Sequence, residues 1–281
     1  MSSETVALVL AAATLHAGWN FLAKWSGGGP ALAALTTAVS ACLYGTVLLF
    51  VLPSDNALDG TLLTAAALSG ALHAGYFLSL QRSYRTGDLS FVYPLTRGIG
   101  PLVALPAAIL LLGERPTLAG LAGALLIIAA VLSLTRGIGT PRPTGANHAV
   151  VTGVFIAAYT LWDKHAVSAL DLAPLLYLWA VNTGEALFIC PLLWTHASQV
   201  KILWRERRAA VLAIAVASPA AYLLILLALK HAPVSFIAPA REVSVVIGAA
   251  MGGRMLSESQ AHRRIVAAVM IVVGFAAIAL G

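Results

Sequence analysis

Two triplets of polar and aromatic residues have the spacing of a single helical face. Positions i, i+3 and i+4 lie on the same side of an α-helix. The six residues are His16, Trp19, Asn20, Tyr159, Trp162 and Asp163. The aromatic members suit either the headgroup level of a membrane or the wall of a binding cavity. Asn20 and Asp163 are poorly matched to acyl chains, so we predict that both triplets face the protein interior.

Charged side chains also follow prolines at two places in apolar sequence. The first place contains Tyr93, Pro94 and Arg97, and the second contains Pro239, Arg241 and Glu242. Each proline removes a backbone donor and can break the helix, which frees carbonyl oxygens. Two interpretations stay open and overlap. The prolines bend packed helices while Arg97 pairs with Glu242, or the charged groups contact a ligand and act as a gate.

Four further polar residues lie within apolar stretches. His73 and Tyr76 are three residues apart, which gives them one helical face, although a histidine in a helix can equally be a packed core residue. Glu185 shares a face with Asn182. Because burial favours the neutral form of a carboxyl group, Glu185 is our candidate for proton coupling.

Together these groups describe a cavity that would accept a zwitterion. Arg97 or Arg241 could hold a carboxylate, phosphate or phosphonate. Asp163, Glu185 or Glu242 could hold an amine, and the tryptophan and tyrosine rings could cover a cationic or apolar part. Amino acids and aminophosphonates have this chemistry.

The motif search favours a non-enzymatic protein without a cofactor. The sequence contains no HExxH, Gly-x-Ser-x-Gly or Cys-x-x-Cys motif, and the glycines at 27–29 lack the Lys and Ser or Thr of a P-loop. Cys42 and Cys190 both lie in apolar runs and suit buried free thiols. We therefore expect no metal, no bound cofactor and no nucleotide-driven motor within the chain.

The composition is that of a membrane protein. Hydrophobic residues make up 60% of the 281 positions and charged residues only 10%, with a mean hydropathy of +0.90. A soluble domain is about a quarter charged. The net charge of +6 lies in short connections, which indicates membrane anchoring and not nucleic-acid binding. The first apolar stretch lacks a basic leader and a cleavage site, so we expect it to be a retained helix.

A bilayer core requires about 20 apolar residues per helix. This length predicts ten spans, at about 5–23, 30–52, 61–81, 89–112, 117–134, 149–169, 172–195, 209–229, 233–253 and 264–280. The longest polar connections are 135–148 and 196–208.

The two halves of the chain repeat each other. The first triplet matches the second at an offset of 143, Pro94 matches Pro239 at 145, and Glu114 matches Glu258 at 144. We predict a five-helix repeat over 1–138, a link over 139–148 and a second repeat over 149–281. Because five is odd, the second repeat must enter the membrane from the opposite face. Inverted repeats around a central cavity are typical of alternating-access carriers.

The chain resembles the drug/metabolite transporter superfamily, ten-helix EamA type. The resemblance rests on the run 16–20 (HAGWN), the run 87–94 (GDLSFVYP) and the pair 113–114 (GE). The segment 84–98 also resembles a subgroup associated with phosphonate utilisation. This similarity implies an all-helical carrier of small metabolites, an exporter or exchanger, in the bacterial inner membrane.

Orientation and assembly are left open at this point. Twelve of the 17 Lys and Arg residues lie in odd-numbered connections and two in even-numbered ones, which favours termini outside the cell. The family resemblance implies termini in the cytoplasm. Glycines in the spans suit either internal packing or a homodimer. Beyond a small-molecule substrate, membrane lipid is the expected partner. A lipid flippase or a multidrug exporter of the same fold is the alternative function.

Overall fold

The computed structural model describes residues 1–51, 58–86, 89–135, 145–252 and 261–281, and the described part is all-helical. The helices are α1 (Ser3–Trp25), α2 (Pro30–Val51), α3 (Gly60–Thr86), α4 (Leu89–Leu111), α5 (Leu118–Ser133), α6 (Ala146–Ser168), α7 (Pro174–Ile189), α8 (Pro191–Thr195), α9 (Ala197–Glu206), α10 (Arg208–His231), α11 (Val234–Ala240), α12 (Val243–Gly252) and α13 (Ala261–Leu280).

Five of these helices are long and apolar enough to cross a membrane. They correspond to α1, α2, α3, α4 and α10. Large apolar side chains project outward along the helices, as at Phe50 and Leu118, which are 84% and 87% exposed. Because water would penalise such exposure, the surface is suited to lipid. The all-helical class is thus confirmed, and the five apolar helices support the predicted membrane character, whereas ten separate spans are not confirmed.

Two predicted spans are interrupted and one predicted connection is helical. The span at 172–195 breaks at Cys190, where Pro191 starts α8. The span at 233–253 breaks at residues 241 and 242, between α11 and α12. The polar connection 196–208 contains α9, a helix that hydropathy alone does not predict. The repeat match at Glu258 and the link at 139–144 lie outside the described residues.

Helices from the two halves of the chain alternate in the packing. α1 packs along α10, α3 along α6 and α7, and α4 along α6, while α5 packs along α13. The last pair comes together at two glycines. A Cβ atom on Gly123 would lie 2.5 Å from the carbonyl oxygen of Gly274. Such close backbone approach is the usual role of small residues between membrane helices.

The chain termini meet at one end of the bundle. The N-terminal ammonium of Met1 donates to the carbonyl oxygen of Ala279 at 3.0 Å. At the opposite end of α1, Trp25 packs under the guanidinium of Arg207, which lies between α9 and α10, with 4.0 Å between the group and the ring centre. α9 therefore marks the face away from the termini.

Candidate functional site

Arg97, on α4, is a buried cation that contacts His16 of α1 and Glu242 in the break between α11 and α12. One guanidinium nitrogen lies 3.7 Å from Oε1 of Glu242, and the two side chains are 8% and 4% exposed. The other terminal nitrogen contacts Nε2 of His16. The guanidinium also lies 5.6 Å from the centre of the Tyr93 ring. The second oxygen of Glu242 is buried and has no hydrogen-bond partner among the described atoms. The pairing considered from the sequence is therefore present, and it is long and incompletely satisfied.

Arg241 supplies a second cation on the same cavity. Its guanidinium lies 3.5 Å from Oγ1 of Thr160 and 5.6 Å from the centre of the Tyr222 ring. A small cavity between α4, α6 and α11 is lined by Arg97, Arg241, Glu242 and Thr160. In this conformation it has room for about one water molecule. The structure thus brings together the three charged residues that follow the two prolines.

Asp163 is completely buried and saturated with hydroxyl donors. Its Oδ1 accepts hydrogen bonds from Ser69 and Tyr177, each at 2.6 Å. Its Oδ2 accepts a hydrogen bond from Tyr222. Three donated hydrogen bonds stabilise the ionised carboxylate in an environment that would otherwise exclude charge. The donors come from α3, α7 and α10, so one side chain of α6 connects four helices.

The tyrosines and a histidine form an aromatic wall beside this carboxylate. His73 stacks on Tyr159 with 4.0 Å between ring centres. Tyr76 and Tyr222 each meet Tyr159 edge-on at 5.9 Å. His73 also lies against Ser69, a donor to Asp163, through its Nδ1. The predicted face of His73 and Tyr76 thus joins Tyr159 of the second triplet.

Other predicted residues take part in packing in this conformation. Trp19 meets His16 edge-on and borders the cluster around Leu32 and Val211. The amide of Asn20 donates to the carbonyl of His16 in its own helix at 2.7 Å. The indole nitrogen of Trp162 donates to the carbonyl of Ala65 at 2.9 Å. Trp19 and Trp162 pack their helices against neighbouring ones, whereas Asn20 bonds only within α1, and none of the three lines the small cavity.

Glu185 lies apart from the arginines, at the crossing of α3 and α7. A Cβ atom on Gly70 would be 2.9 Å from the backbone nitrogen of Glu185, so the two helices are in direct contact there. The amide nitrogen of Asn182, one turn earlier, is buried without a described partner. The residue predicted for proton coupling therefore lies at a helix crossing and does not line the small cavity.

Both prolines are buried, but only Pro239 lies next to a helix break; α4 continues through Pro94, so the break predicted there is not observed. Pro94 lies within α4, and Pro239 within the seven-residue α11. Glu114 caps the start of α11, because its carboxylate accepts hydrogen bonds from the backbone nitrogens of Val234 and Ser235 at 2.6 and 2.8 Å. A carboxylate at this position satisfies the free donors of the first helical turn. Gly113, with a φ of 67°, forms the turn that precedes Glu114.

Sequence reasoning missed the hydroxyl donors Ser69, Tyr177 and Tyr222, and the contact partner Thr160. Each is an ordinary residue of an apolar helix. Thr160 is three residues before Asp163 and so shares its helical face, but the other three lie far from Asp163 and Arg241 in the sequence. Ser69 is one turn before His73, which is the only local signal available for it.

No protein-family model matches this sequence, and no curated protein matches it. Solved structures do match, in 29 chains. One of them, described only as the crystal structure of a protein, superposes with a TM-score of 0.76 at 18% identity. The match covers 100% of this chain and 98% of that chain. It indicates a shared fold along the whole length.

Proposed function

We propose that this protein is a secondary transporter that moves small zwitterionic metabolites, such as amino acids or aminophosphonates, by alternating access. The observation that carries the proposal is the group of Arg97, Arg241 and Glu242 that lines the cavity, together with the buried Asp163 on the other side of Tyr222. Arg97 and Arg241 are offset by Glu242 and by Asp163, which is linked to Arg241 through Tyr222. A buried site with balanced charge accepts a zwitterion without adding net charge, whereas a simple anion or cation would be left uncompensated.

The long Arg97–Glu242 pair is suited to being opened by such a substrate. At 3.7 Å the two groups attract each other without a hydrogen bond. A substrate carboxylate or phosphonate would give Arg97 a bidentate partner, and its ammonium group would satisfy the free oxygen of Glu242. Substrate binding would therefore replace the incomplete Arg97–Glu242 ion pair with two complete ones, one at each residue.

The architecture we propose has ten crossings in two inverted repeats. The adjacency of the two termini supports an even number of crossings, because an odd number would separate them by the bilayer. The five long helices alone would give an odd number of crossings. The remaining five crossings would be α6, α7 with α8, α11 with α12, and the short apolar α5 and α13.

The helix packing supports the inverted relation between the repeats. α1 packs along α10 and α3 along α6, which are equivalent pairs if α1 corresponds to α6 and α3 to α10. By the same correspondence, α4 on α6 is equivalent to α12 on α1. Arg97 and Glu242 follow the equivalent prolines by three residues each, so their ion pair would join equivalent positions. We propose, from the resemblance of its sequence motifs, that the chain is a member of the drug/metabolite transporter superfamily of the EamA type in a bacterial inner membrane; the packing is compatible with this assignment.

Ligand binding by the purified protein tests the proposal. Thermal stability is measured in detergent against amino acids, aminophosphonates, sugars, nucleosides and hydrophobic cations. A ligand at 100 times its dissociation constant stabilises the folded state by about 2.7 kcal/mol. We expect stabilisation by zwitterions. Stabilisation by lipids or hydrophobic cations alone would contradict the proposal and favour the flippase or multidrug exporter.

The arginines provide the decisive variants. Arg241 forms no ion pair among the described residues, so Arg241→Ala removes a cation without breaking one. We expect this variant to weaken zwitterion binding by about 10- to 100-fold, because a charge-assisted hydrogen bond contributes about 1.5–3 kcal/mol. Lys230→Ala, which removes a half-exposed cation near the end of α10 that does not line the cavity, is the control and should bind normally. Unchanged binding by both Arg97→Ala and Arg241→Ala would eliminate the anion-binding role.

A further inference from the structure

The surface around α9 has a chemistry that the transport site does not use. Lys201, Trp204 and Arg205 occupy positions i, i+3 and i+4, and all three are exposed. Arg208, at the start of α10, is exposed as well. The inner face of α9 is different, because Val200 and Leu203 pack on the cluster around Leu32 and Val211. α9 is thus an amphipathic helix attached to the bundle by one face, with a basic and aromatic edge left uncovered.

The position of α9 places this edge at the membrane surface. Only Arg207 separates α9 from α10, one of the five helices able to cross a membrane. α9 also packs against α2 and α10, so it lies at their ends and not beyond them. A tryptophan four residues before a spanning helix lies at the headgroup level, which is where tryptophan is enriched.

Three exposed tryptophans are consistent with this placement of α9 at the headgroup level of the membrane. Trp25, Trp194 and Trp204 are 57%, 73% and 45% exposed. Trp25 is tied to this face through its contact with Arg207. Ile202, on α9 itself, is 54% exposed. Exposed indole rings of this number would be unfavourable in water but are accommodated between headgroups and acyl chains.

The charge of this face selects one kind of surface. Residues 197–208 contain four basic residues and a single acidic one, Glu206, for a net charge of +3. Lysine and arginine place their aliphatic stems along apolar surface and direct their charge to lipid phosphates. The opposite face, around the termini, has fewer basic residues, and its Lys230 is paired with Asp171 at 2.8 Å.

We propose that α9 and the first residue of α10 form a binding surface for anionic phospholipid headgroups. Lys201, Arg205 and Arg208 contact the phosphates, and Trp194 and Trp204 enter the boundary with the acyl chains. The surface acts as an interfacial anchor that fixes the depth of α10 and α2 in one leaflet. This inference is independent of the proposed substrate, since it uses none of the residues around the cavity.

Lipid retention by the intact protein tests the proposal. The protein is extracted in mild detergent and titrated with phosphatidylglycerol or phosphatidylethanolamine, and bound lipid is counted by native mass spectrometry. Each basic residue near an anionic surface contributes about fivefold to binding. We expect Arg205→Gln to weaken phosphatidylglycerol binding about fivefold and the triple variant Lys201→Gln/Arg205→Gln/Arg208→Gln roughly a hundredfold. Binding of phosphatidylethanolamine should change little.

Arg115→Gln is the matched control, because Arg115 is an exposed basic residue in a different connection. It should retain the wild-type preference for phosphatidylglycerol. Thermal midpoints and circular dichroism in detergent verify that each variant is folded. Wild-type lipid retention by the triple variant would overturn the proposal. So would an equal loss in Arg115→Gln, which would indicate nonspecific charge attraction. Loss of a protein dimer without any change in lipid binding would instead assign the surface to a second copy of the chain.

Discussion

Asp163 is a carboxylate whose oxygens are occupied by the protein's own hydroxyl groups. Ser69, Tyr177 and Tyr222 donate to it, and Tyr222 also lies beneath the guanidinium of Arg241. The prediction that Asp163 contacts a substrate therefore requires one of these hydroxyls to move. Tyr222 is the best placed to do so, since it connects Asp163 with the second cation of the cavity.

Asp163→Asn should destabilise the fold by about 1–3 kcal/mol, because an amide offers one acceptor oxygen where the carboxylate has two and leaves a buried hydroxyl unpaired. The measurement is thermal unfolding in detergent. Asp171→Asn makes the same chemical change at an exposed position and should leave the midpoint nearly unchanged. Equal midpoints for the two variants would show that the three hydrogen bonds contribute nothing.

Asp171 itself gives a prediction about pH. The hydrogen bond and charge of Lys230 lower the pKa of Asp171 in the folded protein. A lowered folded pKa means that the pair stabilises the fold above the unfolded pKa and that this contribution is lost as the pH falls through the folded value. We expect Asp171→Asn to flatten the acidic side of the midpoint–pH curve slightly. Added salt should have the same effect on the wild type, because exposed ion pairs are screened.

Two kinds of helix contact organise the elements. α5 and α13 approach through glycines, so their backbones lie too close for side chains. α11 is held by a side chain, since Glu114 binds the first two backbone nitrogens of this helix from the other half of the chain. The break between α11 and α12 exposes Arg241 and Glu242 to the cavity, and this is why a helix boundary is part of the site.

Gly123→Ala should destabilise the protein by about 1–3 kcal/mol, because the added methyl group would meet the carbonyl oxygen of Gly274, which cannot move without its helix. Gly18→Ala is the control. Gly18 lies within α1, and a Cβ atom there would meet nothing within 4 Å. Alanine favours a helix over glycine, so its midpoint should stay the same or rise. Unfolding curves in detergent compare the two, and a stable Gly123→Ala protein would refute close packing of α5 on α13.

At the scale of the whole molecule, the described contacts order the ends of the bundle. The termini meet at one end, and α9, with its basic edge, lies at the other. The excess of Lys and Arg in odd-numbered connections favours a cytoplasmic location for the α9 face. The family resemblance instead favours termini in the cytoplasm. The two expectations therefore differ in the side of the membrane on which the termini lie.

Cysteine labelling in cells determines the orientation and whether the number of crossings is even or odd. Cys42 and Cys190 are replaced by alanine, and single cysteines are introduced by Ser2→Cys, Gly281→Cys and Ser198→Cys. Ten crossings predict that the first two react with a membrane-impermeant maleimide to the same extent. Ser198→Cys should behave oppositely, since α9 lies at the other face. Labelling of Ser2→Cys from outside would favour the charge rule, and opposite labelling of the two termini would exclude ten crossings.

Composition and periodicity predicted a good part of the fold. The apolar stretches correspond to helices within a few residues, as in the predicted 30–52 and the observed α2, because a bilayer requires long apolar helices whatever the packing. The break at Cys190 was not predicted, because hydropathy stays high across it. The break at residues 241–242 lies directly after α11, which contains Pro239, where the sequence predicted a helix break. α9 was not predicted as a helix, because residues 196–208 were interpreted only as a charged connection and their amphipathic pattern was not used.

The sequence by itself determined the membrane character, the all-helical class and which residues carry charge into apolar surroundings. These properties depend on composition and on local spacing, and neither requires knowledge of distant neighbours. The tertiary structure decided the partners. Arg97 is 145 residues from Glu242, and Asp163 finds its donors on three other helices. Such pairings follow from how helices are positioned side by side, a long-range geometry that no local pattern in the chain records.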